Sequence, residues 1–195
     1  MNKNLFIIAG CNGAGKTTAS FTLLPGILDC REFVNADEIA KGLSPFQPET
    51  VAVEAGRIML RRIRELLDED KSFAFETTLA TRSYIHIVRE AIEKDYSVTL
   101  LFFWLQTVEL AEERVLDRVK SGGHNIPVDI IRRRYTKGIK NLFEIYLPEV
   151  ETVLVFDNSE GKHELIAEKI DGNVLTLYNE NKFSNLHAYY EFKKR

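Results

Sequence analysis

Three observations predict an α/β architecture built on a mainly parallel sheet. Short apolar runs alternate with helix-period segments along most of the chain, as repeated βα units do. The first run leads straight into a glycine-rich turn and a helical stretch. With 195 residues, 45% hydrophobic and 28% charged, the chain can bury a sizeable core, most simply as one domain over residues 1–195.

Each element has its own warrant. Strands are predicted at residues 5–9, 32–35, 72–76, 97–105 and 152–157, each a short apolar run between polar breaks. Helices are predicted at 16–24, 49–68, 82–94, 107–121 and 128–146. In the second of these Val53, Gly56, Met59, Leu60, Ile63, Leu66 and Leu67 recur at near-helical spacing, while Arg57, Arg61, Arg62 and Arg64 take other faces. One stripe should therefore pack on the sheet. After Asp157 the pattern changes: residues 165–170 and 174–178 flank Asp171-Gly172 and read as a hairpin, followed by a polar tail.

The turn after the first strand, Gly10-Cys11-Asn12-Gly13-Ala14-Gly15-Lys16-Thr17, fits the phosphate-cradling pattern G-x-x-x-x-G-K-[ST], and its strand and helix flanks are the context the pattern requires. Glycines let successive N–H groups turn inward on phosphate oxygens, and the helix start adds its positive dipole end. Lys16 supplies a cation and the Thr17 hydroxyl a ligand for Mg²⁺. The fold expectation sharpens to a P-loop NTPase-type three-layer sandwich with a helical lid, a C-terminal hairpin and a tail. ATP and Mg²⁺ are the expected cofactors.

Bulk properties narrow the partners. A net charge of −3 gives no global attraction to nucleic acid or an anionic membrane, so phosphate recognition must come from a local basic cluster. Cys11 and Cys30 make neither a disulfide framework nor a zinc site, and Cys11 reads as a small loop residue rather than a nucleophile. The first residues carry no leader pattern, and the longest apolar run, 98–105, is too short to span a bilayer. A soluble cytoplasmic protein is expected.

Ligands of open α/β sheets collect at the carboxyl ends of the parallel strands, so the residues just after each strand are the candidates for chemistry. Asp37, 21 residues beyond Lys16, could be a general base for an acceptor hydroxyl or simply the N-cap of a short helix. Glu76 could act through Mg²⁺ or water, or be a strand-end charge; Thr77 and Thr78 could donate hydroxyls or cap a turn. Between residues 114 and 140 stand Arg114, Arg118, Lys120, Arg132, Arg133, Arg134, Lys137 and Lys140 against only Asp117 and Asp129. The segment 121–127 breaks this stretch into a helix-loop-helix that could close as a lid, spanning about 115–140, with arginines neutralising transferring phosphoryl oxygens. His124, within it, could be functional or make a local hydrogen bond. Tyr189, Tyr190, Phe192 and the basic residues beside them read as a terminal helix docking its aromatics, with a nucleic-acid surface as the alternative.

Residues 7–18, Val34-Asn35-Ala36-Asp37-Glu38-Ile39-Ala40, Glu54-Ala55-Gly56-Arg57, Phe73-Ala74-Phe75-Glu76-Thr77-Thr78-Leu79, Gly122-Gly123-His124-Asn125-Ile126-Pro127 and Arg132-Arg133-Arg134-Tyr135 together resemble the zeta toxin family of phosphate-loop kinases in its short, stand-alone bacterial form. The likeness runs from residue 5 to about 157. It implies an ATP-dependent kinase whose better-known members phosphorylate the sugar 3-hydroxyl of UDP-N-acetylglucosamine. By position it makes Asp37 the catalytic base, and gives Gly10, Asn12, Gly13, Ala14, Gly15, Lys16, Thr17 and Thr18 to the nucleotide, with Thr17 on the metal. Glu76 and Thr78 become substrate or metal contacts, and Arg118 and Arg134 transition-state clamps. Where the toxins carry an arginine two residues after the second threonine, this chain has Ala80, and Arg82 is the nearest candidate for that substrate contact.

The resulting expectation is a kinase acting on a small hydroxyl-bearing substrate such as a nucleotide sugar. An antitoxin protein is a candidate partner; nucleic acid and membrane are not expected. Two other classes stay in view: a nucleotide-gated ATPase that regulates a macromolecular partner, and a kinase of nucleic-acid ends. Residues 158–195 are expected to form an appendage.

Overall fold

A computed structural model describes residues 3–123 and 125–194. In chain order these form β1 (Lys3–Gly10), α1 (Lys16–Gly26), β2 (Phe33–Val34), α2 (Ala36–Leu43), a 3₁₀ turn (Pro48–Val51) running into α3 (Ala52–Asp68), β3 (Phe73–Thr77) and α4 (Tyr84–Glu93). Then come β4 (Tyr96–Trp104), α5 (Val108–Lys120), α6 (Val128–Asn141), a π-turn (Leu142–Tyr146), α7 (Leu147–Glu149), β5 (Thr152–Asp157), β6 (Glu164–Lys169), β7 (Thr176–Leu177) and α8 (Glu180–Lys194). All five predicted strands are present, and so is the hairpin.

The strands form one sheet in the order β2-β3-β1-β4-β5-β6-β7. Pairings from β2 to β5 are parallel, and those of β5 with β6 and β6 with β7 antiparallel. β1 lies between β3 and β4, in register Ile7 with Phe75 and Leu100. Leu5, Ile7, Ile8 and Ala9 are wholly buried although successive side chains point to opposite faces. Both faces are therefore covered, which is why the central strands read as continuous apolar runs rather than alternating ones.

On α3, Ala55, Met59, Ile63, Leu66 and Leu67 form the buried face. Val53 and Leu60, expected on that stripe, are 72% and 40% exposed. At about 100° per residue, Leu60 is turned a quarter circle from Met59, so apolar character alone misassigned it. α2 entered the prediction only as the short helix that Asp37 could cap; at eight residues it is too short for its period to stand out along the chain.

The expected helix over 128–146 is α6 followed by a π-turn and α7. α6 lies against the loop after β3: a Cβ on Gly138 would stand 2.5 Å from the Thr78 carbonyl oxygen, and Asn141 Nδ2 donates to the Leu79 carbonyl at 2.6 Å. The tail forms the expected terminal helix and docks Tyr189 and Tyr190, whereas Phe192 is exposed. Leu186 and Tyr190 of α8 are buried, and the Tyr190 ring stacks on Phe143 at 4.8 Å between centroids. Among the described residues no helix is long and apolar enough to cross a membrane.

Candidate active site

β1 ends against β4 so closely that a Cβ on Gly10 would stand 2.1 Å from the Phe103 carbonyl oxygen, and Gly10 has φ +140°. Gly10→Ala is expected to destabilise the fold by roughly 3 kcal/mol or more, from overpacking plus backbone strain. Urea unfolding measures it, and a midpoint equal to the parent's would mean that β4 yields without cost.

Beyond Gly10 the loop turns back on itself, with Gly13 and Gly15 in left-handed backbone and Gly15 immediately before α1. Lys16 curls over the loop: its Nζ donates to the Cys11 carbonyl at 2.9 Å and stands 3.5 Å from Glu76 Oε1. Both side chains of that pair are nearly buried. Glu76 Oε2 accepts from Thr17 Oγ1 and from Asn35 Nδ2, each at 2.8 Å. The exposed strand-end alternative for Glu76 is thereby displaced, because this carboxylate joins the phosphate loop to the end of β2. Asn35 also settles the capping question: its Oδ1 accepts the backbone N–H groups of Asp37 and Glu38, at 2.8 and 3.4 Å. Asp37 is not the cap.

The loop is braced from behind. Asn158, just past β5, donates through Nδ2 to the Ala14 carbonyl at 2.8 Å. Arg114 donates through Nη2 to the carbonyls of Asn158 and Ser159, at 2.8 and 2.9 Å. Burial pushes the Cys11 thiol up to about 11, only partly opposed by the Lys16 charge. That thiol stays protonated near neutral pH and supports the reading of Cys11 as a loop residue.

Two clefts open at the carboxyl end of the sheet. The first, about 310 Å³, is lined by Asn12, Lys16, Asn35, Asp37, Glu76, Thr78, Ala80, Tyr84, Arg133, Arg134 and Lys137 among others. The second, about 270 Å³, is lined by Thr17, Asp37, Glu38, Lys41, Arg118, Gly123 and Arg134 among others. Asp37 and Arg134 border both. Arg134 Nη1 donates to Asn12 Oδ1 at 3.3 Å, so α6 reaches the phosphate loop through this side chain. Burial draws the Arg134 guanidinium below its ordinary value, and the Asp37 charge works the other way.

Of the eight basic residues in the predicted lid, Arg118, Arg133, Arg134 and Lys137 line these clefts. The others have structural partners: Arg114 as above, Lys120 with Asp117, Arg132 with Glu112 and Lys140 with Glu144. Arg82 does not line either cleft; its Nη2 lies 3.3 Å from Glu144 Oε2 on an exposed surface. Thr18 is exposed on α1. His124 lies outside the described residues. Asn35, Asn158 and Tyr84 were missed by sequence reasoning, although the strand-end rule applied to Asn35 and to β5 would have found the first two.

The donor set suits a hard cation. The Thr17 hydroxyl and Glu76 carboxylate offer neighbouring oxygens at the mouth of the loop. Among the described residues no group of three or more His, Cys, Asp or Glu is placed to hold a metal ion by itself. A threonine hydroxyl beside a single carboxylate fits Mg²⁺, which typically takes one or two protein oxygens and fills its octahedron with phosphate and water.

A protein of Haemophilus influenzae with no assigned function is 31% identical over 134 residues, which is 69% of this chain and 93% of that protein. Among solved structures, a chain of the AvrRxo1-ORF1:-ORF2 complex with ATP superposes with a TM-score of 0.75 at 18% identity, covering 95% of this chain. The present chain spans only 63% of that one. A chain of the PezAT toxin-antitoxin system of Streptococcus pneumoniae gives 0.66 at 15% identity, covering 100% of this chain and 88% of that one. These likenesses match the three-layer α/β fold with its mostly parallel sheet. The sequence model of the zeta toxin family matches residues 1–171, which carry the phosphate loop, Asp37, Glu76 and the basic helix-loop-helix. The chain belongs to the zeta toxin family.

Proposed function

We propose that this chain is an ATP-dependent kinase that transfers the γ-phosphoryl group to a hydroxyl of a small acceptor, with a nucleotide sugar such as UDP-N-acetylglucosamine as the leading candidate. The observation that carries the reading is the convergence of Lys16, Asp37 and Arg134 on one cleft beside a phosphate loop. Family membership and the AvrRxo1 complex with ATP, a likeness of fold, support it.

In this reading the loop backbone from Gly10 to Gly15, with Asn12 and Thr18, surrounds the triphosphate, and Lys16 leaves Glu76 for the β- and γ-phosphates. Thr17 and Glu76 would hold Mg²⁺, which when bound supplies charge neutralisation at those oxygens. Asp37 takes the acceptor's hydroxyl proton as that oxygen bonds to the γ-phosphorus and the bond to the bridging oxygen of ADP breaks. Arg134 and, from the second cleft, Arg118 neutralise the equatorial oxygens. Thr78 and the Tyr84 ring border the acceptor, and Arg133 with Lys137 supplies positive charge for an anionic group upon it. Arg82 serves the acceptor only if it leaves Glu144. The whole chain acts as one kinase domain with its lid at about 115–140, and the PezAT likeness supports proposing an antitoxin partner.

Incubation with γ-labelled ATP and a panel of nucleotide sugars, nucleosides and oligonucleotides tests the reading. Label on a sugar hydroxyl is the expected result. Phosphate release that depends on a macromolecule, with no labelled small product, would replace the kinase with the nucleotide-gated alternative.

A further inference from the structure

α8 lies wholly beyond residue 171, where the family match ends, yet it is tied to both sides of the candidate site. Asn179 caps it, accepting from the Lys182 N–H at 3.1 Å. One turn in, Lys182 Nζ stands 2.7 Å from Asp157 Oδ2 and 2.6 Å from Glu164 Oε2. Asp157 is 1% exposed, and it takes further hydrogen bonds from Ser159 and from Gln106 Nε2. Burial alone would raise its carboxyl, but Lys182, Ser159 and Gln106 together hold it below the usual range. The next residue is Asn158, whose side chain holds the Ala14 carbonyl of the phosphate loop.

Two turns further along, the Tyr189 hydroxyl is 2.9 Å from Thr136 Oγ1, and its ring meets Tyr135 edge-on at 5.1 Å. Thr136 lies on α6 two residues from Arg134, about 200° round the helix and so on the opposite face. Tyr189 holds the back of α6 while Arg134 reaches from its front to Asn12. One rigid helix thus fixes the phosphate loop through Lys182, Asp157 and Asn158, and the arginine helix through Tyr189.

We propose that α8 is a positioning strap that sets the separation between the phosphate loop and Arg134, so that Lys182 and Tyr189 are positioning residues for the reaction. Its two ends have separable effects. Lys182 acts on the loop and hence on nucleotide affinity; Tyr189 acts on the arginine helix and hence on turnover. Only the turnover arm rests on the kinase reading above.

The test uses the full chain, a fluorescent ATP analogue for affinity, and labelled transfer for kcat. Lys182→Met is expected to weaken analogue binding about tenfold, with Lys182→Arg restoring it, because a small displacement of a binding loop is costly. Tyr189→Phe keeps the ring and removes only the hydroxyl; it is expected to lower kcat about tenfold while KM for ATP holds. Should Lys182→Met fail to fold by stranding the Asp157 carboxylate, the uncharged pair Asp157→Asn/Lys182→Met is expected to give the same loss of affinity. If the variants, corrected for folded fraction, bind and turn over like the parent, α8 is a cover and the proposal falls. If the parent transfers label to no acceptor, the kinase reading fails, and analogue binding by the Lys182 variants still decides for or against the strap.

Discussion

Asp37→Asn is expected to lower phosphoryl transfer by roughly 10²- to 10⁴-fold, the range over which a positioned general base contributes. The substitution keeps shape and removes the group that accepts the proton. Its effect on folding should be small, because Asn35 and not Asp37 supplies the capping oxygen of α2. What is lost is a first-turn negative charge, worth less than about 1 kcal/mol. ATP affinity should hold, since Lys16 and the loop backbone are untouched. Single-turnover transfer, paired with calorimetric titration of ATP, separates the two quantities. Turnover at the parent's rate would remove Asp37 from the chemistry.

Lys16→Ala should act on the other quantity. The lysine would trade the Cys11 carbonyl and Glu76 for phosphate oxygens, and charge-assisted hydrogen bonds of this kind are each worth about 1.5–3 kcal/mol. Affinity for ATP is expected to fall roughly 10- to 100-fold by calorimetry. The same substitution leaves Glu76, whose side chain is 10% exposed, without its cation. Thr17 and Asn35 still donate to it, so the stability loss should stay below the 3–5 kcal/mol or so seen when buried pairs are broken outright. ATP binding as tight as the parent's would mean that residues 10–17 are not the nucleotide site.

The central strands and the phosphate loop were legible because each depends on local sequence. An apolar run and a glycine pattern need no distant partner to be recognised. Asp37 and Glu76 could be named from the strand-end rule, but their environments could not. That Glu76 is shared by Lys16, Thr17 and Asn35 depends on β3 lying next to β1, a long-range fact. The basic helix-loop-helix shows the same limit. Eight cations close in sequence look equivalent until Glu112, Asp117 and Glu144 are seen to occupy three of them and the backbone of residues 158–159 a fourth. Arg82 was drawn in as the arginine nearest to Ala80, where the family pattern has one, whereas the turn before α4 directs it to Glu144. The terminal helix and the docking of Tyr189 and Tyr190 were legible, but the start of α8 and its tie through Lys182 were not, because Asp157 and Glu164 become its partners only across the fold.

Both borders of the sheet are abbreviated. β2 and β7 are two residues each, so neither rim exposes a row of unpaired amides long enough to template another chain. Strand addition is thus disfavoured at either flank. A protein that captures this one is therefore expected to grip side chains on helices and loops, with selectivity set by shape and charge rather than by main-chain ladders.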